Sequence, residues 1–393
     1  MGDKVNDVVS SPLLLTEETI AGTLTSPPSL SPTLPFDLIP EILCKLPVKL
    51  LLQLRCICKS WNFLISDPNF IKKHFRHSTT HLVHILTYSE NFLNSYTIDS
   101  VLTDQTAITS KLEFRNHRGV SFVGSCNGIL CFLVKKDYEN LITIQLWNPS
   151  IRKLKVLPPF EKPAFKMYGF GHDPVSDSYK VVVVLDVLDD RRNLVEKNIN
   201  DVKVHTLGTN LWRNIQKLKF PFVIKPLRRS GIYVSGTINW LVKDHLLLRD
   251  CPRKNHYFVV SLDLRNESYK KILLPDGDYG KVGVGGYSTL HLSVFRDCLC
   301  MISRQDVWIR KEYGNPNSWI KLLTISYMQD PSTSWVFTNA MHIFEDGQVF
   351  VRSAGGGIGK LVVYNSKNES FELPFPSENT LEICVESLIS PCS

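Results

Sequence analysis

Residues 125–157 read SCNGILCFLVKKDYENLITIQLWNPSIRKLKVL, and this stretch decides the fold of most of the chain. It contains two turns, beginning at Gly128 and Asn148, and each turn lies between short segments in which apolar residues recur at strand spacing. This pattern is typical of β-strands joined as hairpins. The stretch therefore predicts two hairpins that follow each other directly.

Similar hairpins recur from about residue 80 onward in two interleaved sets, so a repeat architecture has to be considered before any other fold. The turns of the first set lie 60, 60, 56, 50 and 51 residues apart and begin at Tyr88, Asn148, Gly208, Leu264, Gly314 and Asn365. The turns of the second set lie 49, 59, 61 and 50 residues apart, at Gly128, Asp177, Gly236, Asp297 and Gly347.

Two hairpins in each period of 50–60 residues make four strands per unit, which is typical of a propeller blade near kelch length. Six periods predict six blades. The last strand-like stretch, residues 381–389, is expected to pair with residues 81–86 and close the ring, because closure removes exposed sheet edges. A twisted β-sandwich is the alternative, although sandwiches rarely reach 300 residues as one domain.

The N-terminal part has a different pattern. Residues 1–33 are rich in Ser, Thr and Pro and are expected to form a disordered leader. Helices are expected next, with Asp37 and Asp67 as N-caps and Pro47 ending the first helix. The helical segment has more large apolar side chains than about 45 residues can bury, so part of its surface is expected to face another chain.

Charge and cysteine usage restrict the class of protein. The chain has 393 residues and a net charge of +7, and residues 1–31 carry −3 while residues 32–77 carry +4. The ten cysteines form no C-x-x-C pair, and no apolar run is long enough for a signal sequence or membrane span. We therefore expect cytosol or nucleus, no membrane and no nucleic-acid partner, and an acidic partner for residues 32–77.

Two ordered strings of residues carry a family resemblance. LPFDLIPEILCKLPVK (34–49) followed by LRCICKSWNFLISDPNF (54–70) resembles the F-box of plant F-box proteins. SCNGILCF, LWNPSIRK, GFGHDPVSDSYKVV and VSGTINWL resemble motifs of the F-box-associated, kelch-like domain. The expected fold is an α plus all-β multidomain chain, with a disordered leader (1–33), a helical F-box (34–78) and a kelch-like, six-bladed β-propeller domain (79–393).

The resemblance implies an adaptor function. The F-box would dock a Skp-type subunit of a cullin-RING ubiquitin ligase, and the propeller would hold an unidentified target protein. No catalytic residue, metal or cofactor is implied. The positions that match the docking and core residues of the family are Leu34, Pro35, Leu38, Ile42, Leu43, Leu46, Pro47, Val48, Leu51, Leu54, Cys58, Trp61, Leu64 and Ile65. For Leu54 and Ile65 packing within the domain is the alternative.

One position departs from the family pattern, because Leu50 stands where the family often has Ser. A Ser there could cap the second helix, so its loss is expected to weaken docking slightly. The cations of the segment would suit an acidic adaptor, although a solvated helix face explains them nearly as well. They are Lys45, Lys49, Arg55, Lys59, Lys72 and Lys73.

Several motifs resemble phosphate-binding, metal-binding or catalytic sites, but other features of the sequence argue against each of these functions. GGGIGK at residues 355–360 lacks the remaining P-loop residues and precedes a strand. His74, His77, His81 and His84 have helical spacing but cross the expected domain junction. The C-x-C pairs at Cys56 and Cys298, the His172-Asp173 pair and His342 form no recognisable catalytic set. The tryptophans near the hairpins are expected to pack blades rather than bind a ligand, and they are Trp147, Trp212, Trp240, Trp308 and Trp319.

The target-binding residues are not identified by the sequence. The longest polar loops, residues 189–200 and 243–255, are the candidates, although each is more often a plain solvated loop. Two other functions stay open. One is a propeller-based small-ligand sensor or enzyme tethered to the adaptor, and the other is a scaffold that binds the adaptor without degrading a target.

Overall fold

The structure is a computed structural model, and the residues that it describes form four α-helices followed by 27 β-strands. It describes residues 38–77, 83–89, 92–97, 108–114, 117–136, 141–161, 165–186, 199–215, 218–219, 224–244, 257–275, 290–295, 297–303, 305–312, 315, 318–325, 336–343, 348–355, 358–375 and 380–392. Residues 38–77 form the helical domain. Within the described ranges, no helix is long and apolar enough to cross a membrane.

The helical domain contains α1 (Leu38–Leu43), α2 (Val48–Leu54), α3 (Lys59–Ser66) and α4 (Pro68–His77). The predicted cap at Asp67 is confirmed, because its Oδ1 accepts the backbone N–H groups of Asn69 at 2.9 Å and Phe70 at 3.0 Å. The predicted cap at Asp37 lies outside the described residues. The apolar run from residue 48 to residue 65 is divided into two helices by a turn at residues 55–57.

The expectation about a cap at Leu50 is wrong. Helix α2 begins at Val48 and is preceded by Pro47, so Leu50 is the third residue of the helix and a Ser there would not occupy the cap position. The first turn has a partner from a distant part of the chain instead. The N–H of Val48 donates to Glu386 Oε2 at 3.3 Å, across 338 residues of sequence.

The described strands form six sheets, each built on a row of four antiparallel strands, so the predicted six-bladed β-propeller is confirmed and the sandwich alternative is wrong. Blade 1 contains β27 (Thr380–Val385), β1 (Val83–Ser89), β2 (Phe92–Thr97) and β3 (Ser110–Glu113). Blade 2 contains β4 (His117–Cys126), β5 (Ile129–Lys136), β6 (Leu141–Asn148), β7 (Lys153–Val156) and the additional β8 (Phe160–Glu161).

Blade 3 contains β9 (Phe165–Asp173), β10 (Ser178–Asp186), β11 (Ile199–Thr206), β12 (Arg213–Asn214) and β13 (Leu218–Lys219). Blade 4 contains β14 (Ile224–Pro226), β15 (Ile232–Val234), β16 (Thr237–Asp244), β17 (Tyr257–Asp263) and β18 (Ser268–Leu273). Blade 5 contains β19 (Leu290–Phe295), β20 (Cys298–Ser303), β21 (Asp306–Arg310) and β22 (Trp319–Thr324). Blade 6 contains β23 (Val336–Ile343), β24 (Gln348–Gly355), β25 (Ile358–Asn365) and β26 (Ser370–Phe375).

The ring closes where β27 pairs antiparallel with β1, with Val385 opposite Val83. The predicted closing strand is confirmed, but it ends at Val385 and the following residues are not a strand. Residues 386–392, called here the C-terminal strap, continue from the end of blade 1 that lies next to the start of β1. The last strand of the chain therefore becomes the innermost strand of the first blade.

Because of this closure, one turn of the predicted repeat follows a different strand of its blade from the other turns. The turns at Asn148, Gly208, Leu264 and Asn365 follow the third strand of their blades. The turn at Tyr88 joins β1 to β2, which are the second and third strands of blade 1. Its assignment to the same set was wrong, because the innermost strand of blade 1 comes from the other end of the propeller.

Tryptophans connect neighbouring blades, as the sequence predicted. Three indole N–H groups each donate a hydrogen bond to a backbone carbonyl of the preceding blade, which satisfies a polar group in apolar surroundings. These bonds are Trp212 to Pro158 at 3.0 Å, Trp240 to Tyr168 at 2.9 Å and Trp319 to Leu273 at 3.0 Å. The side chains of Trp147, Trp240 and Trp319 are buried.

The C-terminal strap lies between the helical domain and blade 2. Its Leu388 is buried in the core of the helical domain, together with Leu43, Val48 and Leu51. On the other side, Asn148 Nδ2 donates to the carbonyls of Ser387 at 2.9 Å and Ile389 at 2.8 Å. The surplus apolar surface that was expected to face another chain is therefore partly covered by this chain.

Gly128 shows how closely the strap approaches the propeller. Its φ of 78° lies in the left-handed region, as the turn after Asn127 requires. A Cβ atom at this position would lie 2.3 Å from Ser387 Cβ and 2.8 Å from the Val385 carbonyl. Both the turn and the contact with the strap therefore need glycine here.

A buried ion pair joins blades 3 and 4. Lys180 Nζ donates to Asp173 Oδ2 at 3.1 Å and to the Leu264 carbonyl at 2.6 Å. Burial opposes ionisation of Asp173, but hydrogen bonds from Ser176, from backbone N–H groups and from Lys180 lower its pKa to about 2. The ammonium group thus reaches a turn of the next blade while its charge is neutralised within its own.

The pKa of Asp173 gives a pH prediction. Because the folded pKa of about 2 lies below the ordinary 3.8, the carboxylate stabilises the fold above pH 3.8, and this contribution is lost as the pH falls from 3.8 towards 2. Between pH 6 and pH 2.5, we expect the wild type to lose about 2 kcal/mol more unfolding free energy than Asp173→Asn. Urea unfolding at each pH measures the unfolding free energy of the two proteins. If that free energy changes equally with pH in both, the low pKa is wrongly assigned to Asp173.

The strap gives a second prediction. Leu388→Ala leaves a cavity in the core of the helical domain and should cost about 3 kcal/mol. Native-state amide hydrogen exchange should then accelerate across residues 38–77 more than in the propeller strands. Leu154→Ala on the exposed face of β7 is the matched control, since Leu154 is 41% exposed. Unchanged protection of the helices in Leu388→Ala would show that the strap does not support them.

Candidate functional site

The two faces of the propeller differ in what they contact. The turns that follow the first and third strands of a blade lie on the helical side, because Asn148 there contacts the strap and Asp177, between β9 and β10, pairs with Lys72 of α4. In an antiparallel sheet the turns alternate between the two ends. The ends of the second and fourth strands therefore lie on the opposite side of the propeller, which we call the open face.

The strand ends that flank both candidate target-binding loops lie at the open face. Residues 189–200 connect β10 to β11, and residues 243–255 connect β16 to β17. Each connection follows the second strand of its blade. Apart from the strand residues at their ends, these loops lie outside the described residues, so their role stays a prediction.

The predicted docking residues differ in how much of each side chain is exposed. Leu38 and Ile42, four residues apart on α1, are 48% and 46% exposed, so both present apolar surface on one side of that helix. Cys58 is exposed as well. Half-buried positions are Leu46, Pro47, Leu54, Trp61 and Leu64. Leu34 and Pro35 lie outside the described residues.

Four of the predicted docking and core positions lie in the core of the helical domain. Leu43, Val48, Leu51 and Ile65 are at most 1% exposed and pack together in the core of the helical domain. An adaptor bound to this arrangement would not reach them. Their contribution is to hold the helices in place, which is the alternative that the sequence left open for Ile65.

Three exposed apolar residues were not predicted as docking positions. They are Leu50 on α2, Ile57 in the turn before α3, and Phe63 on α3. Phe63 is 79% exposed, the largest exposed fraction among the large apolar residues that the structure describes. Helical spacing contained the signal, because Trp61, Leu64 and Ile65 face the core side of α3 and place Phe63 on the other side.

Cations accompany this apolar surface. Lys73 pairs with Glu41, and the hydrogen bond between them lowers the pKa of Glu41 and raises that of Lys73. Lys45, Lys49 and Lys59 are exposed, and they make no ion pair with any other described residue. This positive charge, on α2, on α3 and in the turn between α1 and α2, is suited to an acidic partner.

Cys58 precedes the first turn of α3 and is fully exposed. Its Sγ lies 3.1 Å from Ser60 Oγ. Hydrogen bonds from Ser60 and from the backbone N–H of Trp61 lower the pKa of this thiol. By contrast, burial raises the pKa of Cys44 within the helical core.

The motifs that were rejected as sites have structural roles. After Gly355 ends β24, the chain continues in β25, Ile358–Asn365, so a strand and no helix follows the glycines, as predicted. His74 is buried, with Nε2 2.9 Å from the Leu46 carbonyl, and α4 ends at His77. His81 lies outside the described residues. No group of three or more potential metal ligands occurs among the residues described.

The other polar pairs also stabilise the blades. His172 Nε2 lies 3.1 Å from Asp177 Oδ1 in the turn between β9 and β10. Cys300 is buried and Cys298 half-buried on β20, and burial raises the pKa of Cys300 to about 12. The side chain of His342 lies outside the described part of the chain.

The innermost strands enclose a cavity of about 290 Å³. Residues from four blades line it, and the polar ones include Ser125, Ser230, His291, Ser293 and Glu382. The side chains of His291 and Ser293 are buried. This cavity is where the small-ligand alternative would place its ligand.

Comparison with known proteins agrees with this architecture. An F-box domain matches residues 32–73, and an F-box associated beta propeller domain matches residues 79–383. An F-box/kelch-repeat protein of Arabidopsis thaliana is 30% identical over 385 residues, covering 91% of this chain and 96% of that protein. The F-box protein CPR1 of the same plant is 26% identical over 396 residues, covering 92% and 89%.

A solved structure, TolB from Acinetobacter baumannii, matches at a TM-score of 0.42 and 12% identity, covering 77% of this chain and 65% of that one. This value is too low to carry an argument. The two domain matches are in the order of the helical domain and the propeller, and together they span most of the chain. The protein belongs to the F-box proteins that carry an F-box-associated β-propeller domain.

Proposed function

We propose that this protein is a substrate receptor of a Skp-cullin-F-box ubiquitin ligase. The observation that carries the proposal is the pair Leu38 and Ile42, which are exposed on α1 of an F-box domain whose core is already packed. Apolar side chains on a preformed helix face are suited to the centre of a protein interface. Lys45, Lys49 and Lys59 would assist the approach of an acidic Skp-type adaptor.

The two-sided propeller suggests how a target would be presented. The F-box domain covers part of one side, so the open face is left for a target protein. A target bound there would be held near the ubiquitin-carrying enzyme, which raises the effective concentration of its lysines. In this proposal the receptor contributes proximity rather than chemistry, and it works in the cytosol or nucleus without a cofactor.

The kelch-like character of the blades is part of the same proposal, supported by the name of one relative. One observation favours a second candidate function. The central cavity of about 290 Å³ has polar walls that include His291 and Glu382, which would suit a small polar ligand. The protein would then be a ligand sensor tethered to the adaptor.

Adaptor docking is tested with Leu38→Asp combined with Ile42→Asp in the full chain. Because each anchor is worth on the order of 1–3 kcal/mol, the double variant should bind a purified Skp-type adaptor at least about 30-fold more weakly. The control is Leu154→Asp with Val156→Asp, since these residues are similarly exposed on β7 of the propeller. Titration calorimetry and thermal melting separate lost binding from lost folding. Equal affinity of both double variants would overturn the proposal.

A receptor and a scaffold differ in what happens to the bound protein. Proximity labelling with the docking-deficient double variant should identify a target whose amount falls when the wild type is expressed and not when the variant is. Quantitative proteomics after blocking synthesis measures this decay. If the labelled proteins decay at the same rate with either form, the protein acts as a scaffold.

A further inference from the structure

A groove of about 670 Å³ lies where the F-box domain meets the propeller, and we call it the junction groove. Its apolar wall is formed by α4, the strap and blade 3, through Ile71, Phe75, Leu207, Leu388 and Ile389. These are parts of three segments that are distant in sequence. An apolar groove of this size is large enough for several side chains of a bound segment.

The rim of the junction groove is basic. Arg55, Lys72, Arg76 and Lys153 line it, against a single carboxylate, Asp177. Asp177 is already engaged by Lys72 and by His172, and the hydrogen bond from Lys72 lowers its pKa. Among the described residues, no ion pair involves the other three cations. With His172 neutral, the charged groups of the rim sum to +3.

The leader of this chain has the complementary composition. Residues 1–31 carry a net charge of −3, from four carboxylates and Lys4. The apolar triplet Leu13, Leu14 and Leu15 lies between the acidic residues, with Asp7 before it and Glu17 after it. A segment with leucines flanked by carboxylates matches a groove with an apolar wall and a cationic rim.

We propose that the junction groove binds the leader of the same chain, with the leucine triplet against the apolar wall and the carboxylates at the basic rim. The leader joins the structure at Leu38, and α1 is held to the groove helix α4 by the pair of Glu41 and Lys73. Twenty-two residues lie between Leu15 and Leu38, and this segment can extend to about 75 Å, so reach is no obstacle. The tether also keeps the effective concentration of the leader high.

The bound leader would add a second connection between the F-box domain and the propeller, next to the strap. Helix α4, the strap and blade 3 would then share one ligand, which resists tilting of the F-box domain on the propeller. The distance from the adaptor-docking helix α1 to the open face would be held more constant. The proposal concerns the chain by itself and does not depend on adaptor binding.

The test uses the full chain with the photo-crosslinking residue benzoylphenylalanine at position 14. We expect crosslinks to α4, the strap and residues near Leu207, identified by mass spectrometry. The groove variant, Arg55→Glu with Arg76→Glu and Lys153→Glu, should lower the yield about tenfold, because three modest surface ion pairs are replaced by repulsion. The control variant, Lys45→Glu with Lys49→Glu and Lys59→Glu, makes the same charge change outside the groove and should keep the yield.

A charge-exchange variant distinguishes the loss of leader binding from misfolding of the groove variant. Adding Asp7→Lys, Glu17→Lys and Glu18→Lys to the groove variant should restore crosslinking, which a misfolded groove could not do. Mixing isotope-labelled and unlabelled chains distinguishes the leader of the same chain from that of a second copy. Crosslinks outside the groove, crosslinks only between chains, or equal yields in the groove and control variants would overturn the proposal.

Discussion

The antiparallel pairing of β27 with β1 is the constraint on which the rest of the structure depends. It places Val385 opposite Val83 and makes blade 1 from both ends of the propeller. As a result, the strap emerges beside the F-box domain, where Leu388 enters the helical core and Glu386 accepts the N–H of Val48. The position of the strap, and with it one wall of the junction groove, follows from a strand pairing in the other domain.

Much of the propeller could be predicted from the sequence, because hairpin turns leave local signals that recur with the blade. The turn at Tyr88 was misassigned because turn chemistry does not show which strand of a blade it follows; strand pairing across about 300 residues decides this. The cap at Asp67 was predicted correctly because capping is local. The expected capping position at Leu50 was wrong because it depended on the residue at which α2 begins, and the sequence predicts helix boundaries only approximately.

The candidate site was harder to predict, for a physical reason. Ile42 and Leu43 are adjacent and similarly apolar, yet one is 46% exposed and the other 1%. Composition does not distinguish a core residue from an interface residue, since both kinds of surface favour apolar side chains. Part of the burial also comes from Leu388, which no local pattern near residue 43 could indicate. Phe63 is different, since helical spacing alone marks it as outward-facing.

The place of Leu388 has a consequence for synthesis of the protein. A ribosome completes α4 at His77 and then adds about 300 more residues before Leu388 exists, which takes roughly 15–60 s at ordinary elongation rates. During that time the F-box helices lack the Leu388 side chain in their core and the Glu386 carboxylate that accepts the N–H of Val48. A chain released before the strap is made therefore has a less stable F-box domain than a chain whose propeller has been completed.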